Sequence, residues 1–404
     1  MINKREIFPL SKFFKQKICI FYLFVSLLFL MPLSAKCADN SFIDRDIKAG
    51  IDAIYNLDFD IAHKHMEKAR RKNPDDPAPY FYTAMIYWGQ LFFNYNLSKV
   101  DELDQWLDKT IEKAEKELKS AKDKSKAYFY LGGAYGFKAR VSLIKHKWIS
   151  AYLNARKGTK MLREAVKINP NNYEAYLGLG MYNYFVSRLP GVIKVLAFLL
   201  AVSGDREKGI EQLELCAEKG VYGAAEARLV LSSIYIYFEY SPEKALKHIK
   251  YLENKYPYNP RFIYMEGIAY SKLKKEKEGL LAAMKIENNI KKGIKNFTNI
   301  WKGRTEYLRG EIYFKTEKYN LALLHYNLAI ASKEKLEKED WVDQWSYMRI
   351  GMIYDVMGKR ELAKVYYRKV LSINETNEEN VYIKDYAQKY LSKPYNPSDK
   401  DKLE

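Results

Sequence analysis

The chain has 404 residues, 48% of them hydrophobic and 29% charged, a globular balance long enough by itself for two or three ordinary domains. Its three cysteines exclude a disulfide-stapled scaffold, and the formal net charge of +18 leaves acidic partners, anionic surfaces or a Lys-rich solvated face as its readings. The 35 Tyr and 19 Phe form an aromatic load suited to filling helix crevices while the phenol hydroxyls stay wet.

Lys4, Arg5, Lys12, Lys15 and Lys17 precede an uncharged apolar run from Ile18 to Met31, followed by Pro32, Ser34, Ala35 and Ala38. That is the order of a secretory signal peptide, so 1–38 is expected to be cleaved. Retention as an N-terminal anchor is the alternative, although the run falls short of the roughly 20 residues of a membrane span. Lys36 argues against lipidation of Cys37, since a small residue normally precedes a lipidated cysteine. The expected location is outside the cytosol, periplasmic or in the cell envelope. Basic charge there favours acidic partners over nucleic acid.

Beyond the signal, small and large side chains recur at fixed offsets. Gly50, Ala53, Ala62, Met66 and Ala69 fall at 0, +3, +12, +16 and +19, with Pro74 at +24. A long second hairpin follows, Tyr80 to Leu97 and Val100 to Ala121, the latter amphipathic through Leu103, Trp106, Leu107, Ile111 and Ala114. A third, longer hairpin holds Gly132 and Tyr135. A fourth begins at Asn171 with Tyr173, Tyr176, Gly178 and Gly180, is interrupted by an apolar insert at 189–204, and resumes at Asp205. Cys216 occupies a small-residue slot, which makes it a core residue rather than a reactive thiol.

Ser233, Ala245, Ile249, Leu252 and Pro257 continue the spacing with Ser for Gly, and Gly267, Tyr270 and Gly279 open a sixth unit that decays over Glu287 to Asn299. Two clean units close the array: Gly310, Tyr313, Ala322, Tyr326 and Ala329, then Gly351, Tyr354, Ala363, Tyr367 and Val370. Glu378 to Leu391 reads as a polar closing helix, and 393–404 as a disordered tail.

This spacing resembles the tetratricopeptide repeat, paired antiparallel helices with small residues at the crossings and large ones between. The resemblance implies an all-α fold, a right-handed superhelical solenoid over 39–392 in which each repeat contacts only its neighbours. The order Tyr-rich helix, Leu189-Pro190, apolar helix, Ser203-Gly204-Asp205-Arg206, Gly209 and Gln212-Leu213 also resembles the inclusion-body-clearance and tetratricopeptide-39 proteins, and exported bacterial repeat proteins. That second resemblance implies an interaction protein.

Catalytic patterns are missing. His63 and His65, two apart, face different ways on a helix, where metal ligands want spacings of three or four. Neither a phosphate-cradling glycine loop nor a nucleophile elbow occurs. The expectation is a non-catalytic protein–protein interaction scaffold with no cofactor and no metal, binding proteins or peptides and not nucleic acid; the sequence sets no oligomeric state. Projection of the two clean units puts Arg304, Tyr307, Glu311, Phe314, Trp345, Met348, Met352 and Asp355 on the concave wall, to grip a peptide or to pack against the next repeat. Chaperone-associated repeat proteins carry Lys and Asn where this chain has Tyr307, Met348, Glu311 and Met352, so carboxylate-tail capture is not expected. The alternative function is binding to an anionic membrane surface through the helix 192–202, with Val192, Val195, Leu196, Phe198 and Leu199 as contacts; the bland reading is a buried plug.

Overall fold

The computed structural model describes residues 45–94, 97–188, 203–332, 341–373 and 381–398. Contacts divide the chain into Met1–Asp44 and Arg45–Glu404, and the described residues belong to the second unit. The signal segment and the insert residues Val192, Val195, Leu196, Phe198 and Leu199 lie outside the described residues.

The fold is all-α, without a strand among the described residues. Its helices are α1 (Arg45–Tyr55), α2 (Phe59–Lys72), α3 (Pro77–Asn94), α4 (Val100–Ser120), α5 (Ser125–Ile144), α6 (Trp148–Ile168), α7 (Ala175–Ser187), α8 (Arg206–Lys219) and α9 (Ala224–Tyr237). They continue as α10 (Pro242–Lys255), α11 (Pro260–Lys272), α12 (Glu276–Lys291), α13 (Ile300–Lys315), α14 (Tyr319–Ala331), α15 (Trp341–Val356), α16 (Arg360–Ser372) and α17 (Val381–Ser392). Consecutive helices pack as antiparallel hairpins, and the first helices of most successive hairpins lie against one another. The solenoid expected from the spacing is therefore present. Helix α12 runs on to Lys291, deep into the stretch expected to be degenerate.

The size pattern has a direct steric cause. A Cβ on Gly310 would sit 2.5 Å from the Tyr326 ring, and one on Gly351 2.6 Å from the Tyr367 ring; Gly50 meets Met66 in the same way. Position 0 is glycine because the residue at +16 fills its place. Ala322, Tyr326 and Ala329, and Ala363, Tyr367 and Val370, are fully buried.

The turn inside each hairpin is equally regular. Leu57, Tyr240, Lys274, Glu317 and Gly358, each at +7 of its unit, have φ between 48° and 71°. The residue after the left-handed one donates its N–H five residues back: Asp58 to the Ala53 carbonyl at 2.8 Å, Lys318 to that of Tyr313 at 2.8 Å, and Lys359 to that of Tyr354 at 2.8 Å. These are Schellman closures, which satisfy the last carbonyls of the first helix and swing the chain into the second.

One expectation fails. The repeats do not contact only their neighbours, because the curvature brings the first hairpin onto the fifth and sixth. Asp52 accepts the Tyr256 hydroxyl at 2.9 Å and pairs with Lys255 at 3.1 Å. Tyr55 stacks on Tyr256 with ring centroids 5.2 Å apart, its carbonyl accepts Asn259 Nδ2 at 2.8 Å, and its hydroxyl donates to Glu226 at 2.8 Å. Asn296 Nδ2 reaches the Asn56 carbonyl at 2.7 Å, and Lys295 pairs with Asp58. One hydrophobic core accordingly runs from Ile47 to Ile312. The tyrosines close this seam because their rings bury like Phe while the hydroxyl finds a carboxylate.

Candidate functional site

The eight projected wall residues are largely interior. Arg304, Tyr307, Glu311, Phe314, Met348 and Met352 are buried, and Trp345 and Asp355 are half-buried. The reason is mutual satisfaction across hairpins. Arg349 donates Nε and Nη2 to the two Glu311 oxygens at 2.7 and 3.0 Å, and Tyr326 adds its hydroxyl at 2.7 Å. Burial alone would raise the Glu311 carboxyl; the Arg349 charge and the Arg349 and Tyr326 hydrogen bonds overcome it and hold the pKa at about 2. Tyr307 packs edge-on to Trp341 with centroids 5.6 Å apart, and the Arg304 guanidinium lies 4.5 Å from the Trp301 ring. Packing against the next repeat describes these side chains, and an open concave groove does not.

Asp355 and Phe314 are the two that lead to a site. The Asp355 carboxylate accepts both oxygens' worth of bonds from Arg360 Nη1, at 2.9 and 3.0 Å, and the Tyr367 hydroxyl at 2.8 Å. It also accepts the backbone N–H of Tyr395 at 2.8 Å. Arg360 Nη2 meanwhile donates to the Tyr390 and Leu391 carbonyls, each at 2.8 Å, capping α17. Tyr395, expected in a disordered tail, is only 3% exposed.

Beside it opens a cavity of about 400 Å³ lined by Tyr240, Lys272, Lys274, Phe314, Lys315, Glu317, Tyr319, Tyr395 and Pro397 among others. Tyr240, Lys274 and Glu317 are the left-handed turn residues of three consecutive units, so one rim of the stack supplies the wall. The recurring +7 position is the sequence signal that would have located it. Lys274 pairs with Glu317 at 3.5 Å, Lys272 and Lys315 give this rim its net positive charge, and Tyr240, Phe314 and Tyr319 supply its aromatic surface.

A second cleft, of about 550 Å³, surrounds Trp106, with Arg70 at 4.8 Å and Lys109 at 4.1 Å from its ring. Arg70 donates to the Thr83 hydroxyl at 2.6 Å, and Asp75 takes Lys113 and Lys116. It is wide open, and basic residues there also complement the C-terminal end of α2.

Cys216 is buried, and burial together with nearby Glu174 pushes its thiol well up, the condition of an inert core cysteine. Burial raises the Glu174 carboxyl, which accepts the N–H groups of Val221, Tyr222 and Gly223 just before α9 at 2.5, 2.9 and 2.6 Å. Among the described residues, no three His, Cys, Asp or Glu side chains gather to hold a metal ion, and no helix is long and apolar enough to cross a membrane.

The fold defines a stack of tetratricopeptide-type hairpins. Residues 346–377, which contain the second clean unit, match the family model described as Tetratricopeptide repeat. Among solved structures the chain is similar to yeast Tom70, at 10% identity and a TM-score of 0.37, over 83% of this chain and 86% of that one. It is also similar to the TPR domain of P58(IPK), at 13% identity and a TM-score of 0.21, over 86% and 97%. Comparison with curated proteins finds no match.

Proposed function

We propose that this protein is a non-catalytic interaction scaffold that holds peptide-like segments of other proteins, working in the periplasm or cell envelope. The observation that carries the reading is the rim wall, an aromatic and cationic surface built from three consecutive turns of a repeat stack. Aromatic anchors with a charged surround are the composition from which protein-binding surfaces draw most of their affinity. The envelope location rests on the order of basic, apolar and small residues over 1–38.

Crosslinking the full chain in envelope fractions, with mass spectrometry of the products, tests the proposal. Specific neighbours are expected with the wild type, and a Lys272→Glu, Lys274→Glu, Lys315→Glu variant is expected to lose them while its melting temperature holds. Recovery of the same neighbours by the variant would remove the rim from consideration, and recovery of the chain in the cytosol alone would remove the location.

A further inference from the structure

One side of the cavity at the rim wall is built from a stretch of this chain. Segment 393–398, Lys-Pro-Tyr-Asn-Pro-Ser, leaves α17 after Ser392 and places Tyr395 and Pro397 in the lining of the cavity beside Phe314 and Tyr319. Its composition gives no reason to fold: it is short, polar and broken by two prolines. Tyr395 is nevertheless buried, edge-on to Tyr390 with centroids 5.4 Å apart. Pro394 and Pro397 have no N–H, which leaves Tyr395 and Asn396 as the donors between them, and the Tyr395 N–H goes to Asp355. The Lys393 N–H still bonds the Lys389 carbonyl at 2.9 Å and the Ser398 N–H bonds Asn396 Oδ1 at 3.0 Å, so 394–396 is a short irregular stretch between a helix end and a turn. A short proline-bearing stretch against aromatic side chains is a general recognition mode, helped by the small entropy that proline leaves to be lost on binding.

We propose that segment 393–398 is a tethered ligand of the rim wall, and that the wall takes from a partner protein a short segment of the same kind, an aromatic residue followed two positions later by proline. The net positive charge that Lys272 and Lys315 give the rim favours an acidic flank on that segment. The inference rests on the scaffold reading and names its ligand. The tethered copy competes at an effective concentration on the order of millimolar, so a partner residue takes the place of Tyr395 only by displacing it, and the segment sets that threshold.

The probe is a fluorescein-labelled peptide of residues 393–398, with a second peptide carrying Tyr395→Ala. Fluorescence anisotropy is read on the full chain, on a chain lacking 393–404 and on the full chain carrying Tyr395→Ala, with a thermal melt of each. The expected result is saturable binding of the first peptide to both opened chains, at least about 10-fold weaker binding to the wild type, and none of the Tyr395→Ala peptide. If the deletion does not fold, the Tyr395→Ala chain is the acceptor and the same outcomes apply. No saturable binding to a folded opened chain, or equal binding to wild type and opened chains, overturns the proposal. Peptide competition without envelope neighbours would instead sink the scaffold reading and leave this one standing.

Discussion

Tyr256 donates its hydroxyl to Asp52 at 2.9 Å across 204 residues of sequence. Burial and the Asp52 charge push the phenol pKa upward, so it stays a donor throughout the physiological range. With the Tyr55 stack beneath it, this contact latches the first hairpin to the middle of the stack.

Loss of the ring should therefore loosen the first hairpin selectively. Tyr256→Phe is expected to cost about 1 kcal/mol, the net value of one hydrogen bond. Tyr256→Ala is expected to cost about 3–5 kcal/mol, as for other large buried aromatics. Hydrogen exchange should show α1 and α2 opening first in the Ala variant. Uniform loss of protection along the chain would mean that the seam is not a separate closure.

Two glycines separate backbone from packing. Gly136 lies in the interior of α5 and Gly358 at φ +71°, and a Cβ at either would meet nothing within 4 Å. Gly136→Ala is expected to stabilise by about 0.5–1 kcal/mol through helix propensity. Gly358→Ala is expected to destabilise by about 1 kcal/mol, because the left-handed conformation brings Cβ against the carbonyl. Denaturant melts of the two variants should move in opposite directions.

Helix crossings allow no such freedom. Ala322 is completely buried, so Ala322→Phe is expected to overpack the crossing of α13 and α14 at a cost of about 1–3 kcal/mol. Gly310→Ala, with its Cβ 2.5 Å from the Tyr326 ring, should also lower the melting temperature. Unchanged stability in both would contradict the packing of this hairpin.

These crossings were legible in the sequence because steric exclusion acts at fixed distances along the chain: Gly310 and Tyr326 report on each other at +16. The rim was half legible, since its turn residues recur at +7 but only Gly358 carries the glycine that marks a left-handed turn. The seam between Asp52 and Tyr256 was not, because it depends on small rotations summed over five hairpins, which no local spacing encodes. The concave projection failed for a similar reason. Glu311 and Arg349 are 38 residues apart and satisfy each other only after two units have stacked, so side chains placed on an open wall by periodicity end up inside. The burial of Tyr395 was not legible, because the Asp355 carboxylate that takes its N–H lies 40 residues earlier and no local spacing links the two.

The Glu311–Arg349 pair makes a prediction with a definite sign. The folded carboxyl titrates at about 2, below its ordinary 4.5, so the stabilisation is fully present above about pH 4.5 and is lost as the pH falls towards 2. Glu311→Gln should flatten the wild-type dependence of melting temperature on pH across that window. Arg349→Met leaves a buried carboxylate without its cation, at an expected cost of about 3–5 kcal/mol at neutral pH. Burial, the largest influence on Glu311, is then opposed only by the Tyr326 hydrogen bond and the Lys315 charge; its pKa is expected to rise above the unfolded value, which reverses the linkage, so that acidification protonates the carboxyl and recovers part of the lost stability. The wild-type and Arg349→Met melting curves should converge as the pH is lowered from 7 to 3. A constant gap between them would show that the cost of Arg349→Met comes from lost packing over Phe314, 4.8 Å from the guanidinium, and not from the stranded charge.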